Sequence, residues 1–321
     1  MQMSLVLVSS RRFVDHVTPV GHPERPERAE VLGAVAAGFK EQGGEVIEPR
    51  LATDADLLRV HTREHVDAIV ATRGKATMID EDTFTSPDSD EIARLAAGAV
   101  LTGVDRVLDG PKGSRALALV RPPGHHAEAA RAMGFCLYSN IAVGAAYARA
   151  RGCARVAIVD YDVHHGNGTQ SMFYADSTVL FVSSHQWPFY PGTGAASESG
   201  RGEGLGFTLN IPLEAGVRDD EIERKYAEQV IPAVRDFKPD LLMISAGFDA
   251  HELDPLGQLR MTTEGFGRLT KALLDLADQV CDGRVVLVTE GGYDLRALSD
   301  SLKAVIAEAS QFTSSGSSPS R

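Results

Sequence analysis

Cysteine, tryptophan and positive charge are all scarce in this chain of 321 residues. The three cysteines, Cys136, Cys153 and Cys281, are odd in number and far apart, which argues against a disulfide framework and against a cysteine zinc site. A reducing compartment fits them best. Lysine and arginine total 32 against 44 acidic residues, a formal net charge of -12, so a surface built for a phosphate backbone is not expected and nucleic acid is set aside as a ligand. An acidic surface instead suits cationic substrates such as lysine-bearing tails or polyamines. Long apolar runs are also lacking: the one near the N-terminus spans only about six residues before Arg11 and Arg12, too short for a signal-peptide core or a membrane span. It reads as a first buried strand, and the protein as cytoplasmic with no membrane partner.

What is present is a regular alternation. Pro26 to Gln42 carries Val31, Leu32, Val35, Ala36 and Phe39 at the spacing of one helix face. Comparable stretches lie near 89–108, 139–151, 218–236, 262–280 and 296–309, several opened by a Ser, Asp or Thr able to cap a helix. Between them run short β-branched segments at 116–120, 156–159, 179–182, 241–244 and 285–288, continuous rather than alternating in hydrophobicity, as befits strands covered on both faces. Strand and helix in turn imply βαβ units and an α/β fold, a mainly parallel sheet with helices on both faces. No repeat period is visible. One domain is expected over 1–310, and the Ser-rich end, 311–321, is expected to be a disordered tail because it can bury too little to order itself.

Ligands of open parallel sheets bind beyond the carboxyl ends of the strands, and here those ends are polar. Arg-Pro-Pro-Gly-His-His follows 116–120, Asp160-Tyr-Asp162-Val-His164-His165-Gly-Asn167 follows 156–159, Ser-Ala-Gly-Phe-Asp249 follows 241–244, and Thr-Glu290-Gly-Gly-Tyr293 follows 285–288. Asp162 and His164 alternate along what reads as an extended segment, so both side chains point one way and can share a metal. Asp249, from another strand end, completes two oxygens and one nitrogen with an open position, the pattern of a catalytic zinc; iron or manganese also accept such donors. Taken singly, the aspartates could be helix caps and His164 a core histidine; four such strand ends together favour a site.

His125 and His126 follow a Pro-Pro-Gly turn that presents them at the rim, where one can take a proton from water beside a metal and return it to a leaving amine. Asp160 is the candidate partner that sets a tautomer. Tyr293, after two glycines, can offer its hydroxyl to a tetrahedral oxyanion, or be an ordinary strand-end tyrosine. His61 and His65 have helical spacing, but no glutamate follows His61, which argues against a zinc-protease pair. His185 is read as a buried or supporting residue, and the glycines of 192–206 as a rim loop without a nucleotide fingerprint.

Together RPPGHHA, DYDVHHGNGTQ, HQWPFYPGTG, SAGFDAH and EGGYDL, with His22-Pro-Glu-Arg-Pro-Glu-Arg28 upstream, resemble the histone deacetylase superfamily, including its bacterial amidohydrolases and acetylpolyamine amidohydrolases. The resemblance implies an arginase/deacetylase-like fold and one zinc on Asp162, His164 and Asp249. It further implies His126 as general base and acid, His125 as its companion paired with Asp160, and Tyr293 polarising the acetyl carbonyl. Gly134-Phe135 and Tyr190 match the walls of an acyl-lysine channel. Asn167 stands where some members have aspartate, as in the class II-like branch, which keeps a hydrogen bond but drops a charge. Leu256 lies where a polyamine-selective relative carries glutamate, which tilts the reading toward acetyl-lysine. Ser183 and backbone near Asp160 match a potassium site. The expected function is therefore zinc-dependent hydrolysis of acetylated amines, most simply acetyl-lysine side chains, with acetylpolyamines as the alternative. An arginase-like ureohydrolase with two manganese ions needs more bridging carboxylates than this rim offers. A non-catalytic acetyl-amine binding module is opposed by the intact His125, His126 and Tyr293.

Overall fold

The β-branched runs become the core of one eight-stranded sheet in which every pairing is parallel. The structure, a computed structural model, describes residues 5–311; residues 1–4 and, Gln311 apart, the Ser-rich end lie outside the described residues. Its strands are Leu5–Ser9 (β1), Glu45–Ile47 (β2), Arg115–Leu119 (β5), Val156–Asp160 (β6), Val179–Gln186 (β7), Thr208–Leu213 (β8), Leu241–Ala246 (β9) and Val285–Thr289 (β10). Thr77–Met78 (β3) and Phe84–Thr85 (β4) form a separate antiparallel hairpin. The helices are Pro26–Glu41 (α1), Asp54–Leu57 (α2), Arg63–Val70 (α3), Ser89–Asp109 (α4), Asn140–Ala150 (α5), Asn167–Phe173 (α6), Asp219–Lys225 (α7), Ile231–Phe237 (α8), Thr263–Val280 (α9) and Leu295–Ala309 (α10).

The strand order is β2-β1-β5-β10-β9-β6-β7-β8. Its four central members, β5, β10, β9 and β6, are the strands whose ends carry the polar motifs, so adjacency in the sheet gathers segments far apart in sequence. Side chains alternate between the faces, as the pleat requires. Leu5, Leu7, Leu117 and Leu119 join a core cluster with α1, α9 and α10, whereas Val6, Val8, Ala116 and Ala118 pack with α4 and α5 on the other side. With both faces covered, neither shows an alternating hydrophobic pattern in sequence, which is why the runs read as continuous.

Expected boundaries mostly fall within one or two residues of those observed. β7 is the exception: it continues past 182 through Ser183–Gln186, polar residues that are nonetheless buried. The edge strands β2 and β8 carry polar positions and partly exposed faces, so they lack the apolar run by which the central strands are recognised. The helix expected over 218–236 is divided into α7 and α8 by a π-helical turn at Tyr226–Val230. Pro232, in the first turn of α8, has no N–H to donate and its ring crowds the preceding turn, which favours the wider hydrogen-bond step.

Candidate active site

β6 ends at Asp160, and the segment after it bends rather than continuing as a strand. The Asp162 N–H donates to Asp160 Oδ1 at 3.0 Å, and the His164 N–H donates to Asp162 Oδ1 at 2.9 Å. These local carboxylate acceptors fold the chain into turns. Asp162 and His164 do converge, but through turns and not through strand alternation. Asp249, beyond β9, is tied to the same segment by the Val163 N–H, 2.9 Å from its Oδ1. His164 Nδ1 lies 3.1 Å from Asp162 Oδ1 and 3.2 Å from Asp249 Oδ2. One donor atom from each of the three falls within 4.8 Å of the others. Glycine is required beside this group: a Cβ on Gly291 would lie 2.0 Å from Asp249 Oδ2, and one on Gly247 would lie 2.1 Å from Asp162 Oδ2.

The donor set fits a divalent metal such as zinc. Asp162 and Asp249 are buried, and burial together with the Asp162 charge pushes the Asp249 carboxyl up to about 7. Burial opposes a charge on His164, yet its hydrogen bonds to Asp162 and Asp249 push it up to about 9. Two buried carboxylates that repel each other and draw positive charge onto the neighbouring imidazole make a place for a cation.

After β5, the Glu290 carboxylate accepts the N–H groups of Gly124 at 2.7 Å and His125 at 3.1 Å, and the Ser245 hydroxyl at 2.9 Å. This clamp fixes the turn that carries both histidines. His125 Nδ1 is 2.9 Å from Asp160 Oδ2, and His126 Nδ1 is 2.7 Å from Asn167 Oδ1. The Asn167 amide nitrogen donates to Glu128 Oε1 at 3.0 Å, which turns its oxygen toward His126 and places a proton on His126 Nδ1. The two rings are 4.0 Å apart, and their pKa values diverge. Burial lowers both, but the charges of Asp162 and Asp160 hold His125 well above the usual imidazole range. His126, buried and facing the charges of His125 and His164, is held well below it.

Of these residues His126 and His164 line a cavity of about 80 Å³, together with Gly134, Phe135, Tyr190, Leu256 and Tyr293. Gly134 and Phe135 both adopt positive φ, +57° and +68°, with the Phe135 N–H held by Thr83 Oγ1 at 3.1 Å. Tyr190 meets His126 edge-on at 5.2 Å, and Phe189 stacks on His164 at 5.3 Å. Arg28 lies over the Tyr293 ring at 5.0 Å and donates to the carbonyls of Gly292 and Glu290 at 2.7 and 2.6 Å.

Ser183 is the register partner of Asp160, and its hydroxyl lies 2.9 Å from His185 Nδ1. His61 and His65 stack at 4.8 Å and bond the main chain of Glu128, Leu137 and Ser139, bracing the segment that carries Phe135. Sequence reasoning missed Asp82, which also lines the cavity, and assigned no role to Glu24, Arg28 or Glu290. The last three sit inside motifs already noted; Asp82, in a short hairpin, has no local signal.

A family model described as the histone deacetylase domain matches residues 22–309. The chain belongs to the histone deacetylase family. It is an enzyme of the deacetylase and amidohydrolase class, with the Asp162, His164 and Asp249 group as its candidate metal site. It is 44% identical over 295 residues to Histone deacetylase 15 of Arabidopsis thaliana, an alignment covering 89% of this chain and 52% of that protein. The chain thus spans about half the length of that relative. It is 40% identical over 273 residues to the Histone deacetylase-like amidohydrolase of Pseudomonas aeruginosa, covering 84% of this chain and 72% of that one. The crystal structure of the HDA15 HD domain matches with a TM-score of 0.90 at 40% identity, over 96% of this chain and 90% of that chain. The expected α/β architecture of this histone deacetylase family member is thereby shown. Among its described residues no helix is long and apolar enough to cross a membrane.

Proposed function

We propose that this enzyme hydrolyses acetylated amines and that acetyl-lysine side chains of proteins or peptides are its substrate class. The observation that carries the reading is the small cavity, about 80 Å³, in which His126 and His164 meet Phe135, Leu256 and the rings of Tyr190 and Tyr293, with Asp82 as its one carboxylate among the described residues. It suits an acyl amide on an unbranched chain. A divalent metal such as zinc, held by Asp162, His164 and Asp249, supplies Lewis-acid polarisation of the acyl carbonyl and acidifies water. His126, its Nδ1 proton committed to Asn167, has Nε2 free to take the proton of the attacking water and return it to the departing amine. His125 remains charged through Asp160 and supplies positive field beside the forming anion. Tyr293 donates its hydroxyl to the carbonyl oxygen as charge builds there. Phe135, Gly134, Tyr190 and Leu256 guide the chain of the substrate.

Residues 1–310 act as one catalytic unit, a reading supported by the family match over 22–309. Three free buried cysteines support a reducing, cytoplasmic setting. Potassium beside Ser183 and the main chain near Asp160 is proposed as a structural ion, to be checked by melting in potassium against a bulky organic cation. A second reading, acetylpolyamine hydrolysis, is favoured by Asp82 at the cavity wall, whose charge suits ammonium groups along the substrate, and opposed by Leu256. Among the described residues one cluster suited to a metal is found, which weighs against a two-manganese ureohydrolase.

The test is acetate release from acetyl-lysine peptides and acetylated polyamines by zinc-loaded protein beside a chelated control. Chelator-sensitive release supports the deacetylase reading, and the ratio of kcat/KM values selects the substrate class. Tight hydroxamate binding without turnover of either would overturn it in favour of a binding module.

A further inference from the structure

The loop after β9 carries a second buried carboxylate, Asp254, which is 7% exposed and does not line the cavity. Its Oδ2 accepts the N–H groups of Tyr293 at 2.6 Å and Asp294 at 3.1 Å, and its Oδ1 accepts the N–H of Leu256 at 2.9 Å. Tyr293 and Leu256 both wall the cavity but follow different strands, β10 and β9. One side chain therefore sets the spacing of two walls.

The peptide joining Gly292 to Tyr293 is gripped from both sides. Arg28 donates to its carbonyl at 2.7 Å, and Asp254 accepts its N–H at 2.6 Å. Gly291 is held, its N–H by Asp162 Oδ2 at 2.8 Å and its carbonyl by the Phe248 N–H at 2.9 Å, but Gly292, with φ +127° and no side chain, leaves the next peptide to be fixed by the grips of Arg28 and Asp254. Any tilt there is magnified along the tyrosine side chain to its hydroxyl. The geometry points to Asp254 as a positioning residue that orients Tyr293 for the reaction and holds Leu256 in register with it. The assignment rests on the proposed role of Tyr293. Only a carboxylate meets these contacts with both oxygens accepting; asparagine offers an acceptor on one side and a donor on the other.

The test uses the full chain loaded with zinc, comparing Asp254→Ala and Asp254→Asn with the parent. Displacement of a reacting group by about 1 Å can cost about 10²-fold in rate, so Asp254→Ala is expected to lower kcat about 30- to 100-fold with metal content unchanged. Asp254→Asn keeps the side-chain volume, serves should the alanine variant not fold, and is expected to fall between. Hydrogen exchange at the amides of Tyr293, Asp294 and Leu256 should accelerate in Asp254→Ala, and in Asp254→Asn at the amides that face its NH2 group. The deciding measurement is a double-mutant cycle: in a Tyr293→Phe background either Asp254 substitution should change kcat by less than about 3-fold, because it acts through a hydroxyl already gone. Full additivity, or an undiminished kcat despite faster exchange, would overturn the inference while leaving Tyr293 in place. Unchanged turnover in Tyr293→Phe alone would instead remove the reading of Tyr293 and this inference with it.

Discussion

Replacing Glu24 by glutamine is expected to destabilise the fold by about 3 kcal/mol. Glu24 is wholly buried, and its Oε1 accepts Arg121 Nε at 2.6 Å and Arg28 Nη1 at 3.0 Å. Both arginines are themselves wholly buried. Burial alone would raise the Glu24 carboxyl, but the charges of Arg121 and Arg28 hold it below the usual carboxylate range, so it is ionised at neutral pH. Glutamine keeps the shape and one acceptor and removes what is, among the described residues, the only carboxylate that bonds either guanidinium. Loss of one partner from a buried ion pair costs about 3–5 kcal/mol. The lower end applies because main-chain carbonyls remain: Gly292 and Glu290 for Arg28, and Phe13, His16 and Glu24 for Arg121. In a urea titration with a slope of roughly 3 kcal/mol per molar, the midpoint should fall by about 1 M. Glu91→Gln is the control, since Glu91 meets Arg12 at the exposed surface, where such a pair contributes about 0–1 kcal/mol. A loss below about 1 kcal/mol for Glu24→Gln would refute the reasoning and mean that carbonyl oxygens alone satisfy the two buried cations.

Acid should weaken the fold before it reaches the carboxylate range. Burial lowers His16, His61 and His185 to about 4, 3 and 4, while unfolding returns each to near 6.5. At these three sites the unfolded state binds more protons as pH falls from 6.5 toward 4, so each removes up to about 2 kcal/mol of stability by pH 5, while Glu290 and Asp249, both raised to about 7 by burial, take up protons in the folded state and offset part of that loss. Melting temperature measured from pH 7.5 to 5 in the parent and in His16→Gln checks this: the variant should lose less on acidification, and an identical pH dependence would count against a buried neutral His16. Asp249→Ala should abolish stoichiometric zinc by elemental analysis, and a fully loaded variant would remove Asp249 from the ligand set. Tyr293→Phe should lower kcat by about 10²-fold with zinc retained, because only developing charge loses a donor. Leu256→Glu should raise kcat/KM for acetylated polyamines relative to acetyl-lysine peptides; an unmoved ratio places specificity elsewhere.

The central strands and their polar ends were legible because two-sided burial writes itself as a short continuous apolar run, and the residues after such a run stand at the sheet's carboxyl edge. Asp162, His164 and Asp249 could be nominated from that alone, and the family resemblance supplied roles for His125, His126 and Tyr293. The edge strands β2 and β8 left no such trace: β2 has no fully buried position, and β8 interleaves Thr208, Asn210 and Pro212 with Leu209, Ile211 and Leu213.

Sequence by itself determined which residues the chemistry could use, because residue type and position after a strand are local properties. Tertiary structure alone decided how they meet. The order β5-β10-β9-β6 brings together four segments spread from Arg121 to Tyr293, and no local pattern encodes that adjacency. It also decided the contacts that hold the site: Glu290 on the turn of His125, Asn167 oriented by Glu128, Arg28 and Asp254 on the two sides of one peptide. Such contacts form between groups distant in sequence, where only packing of the whole chain sets the distance, so they become visible once the sheet and its covering helices are in place.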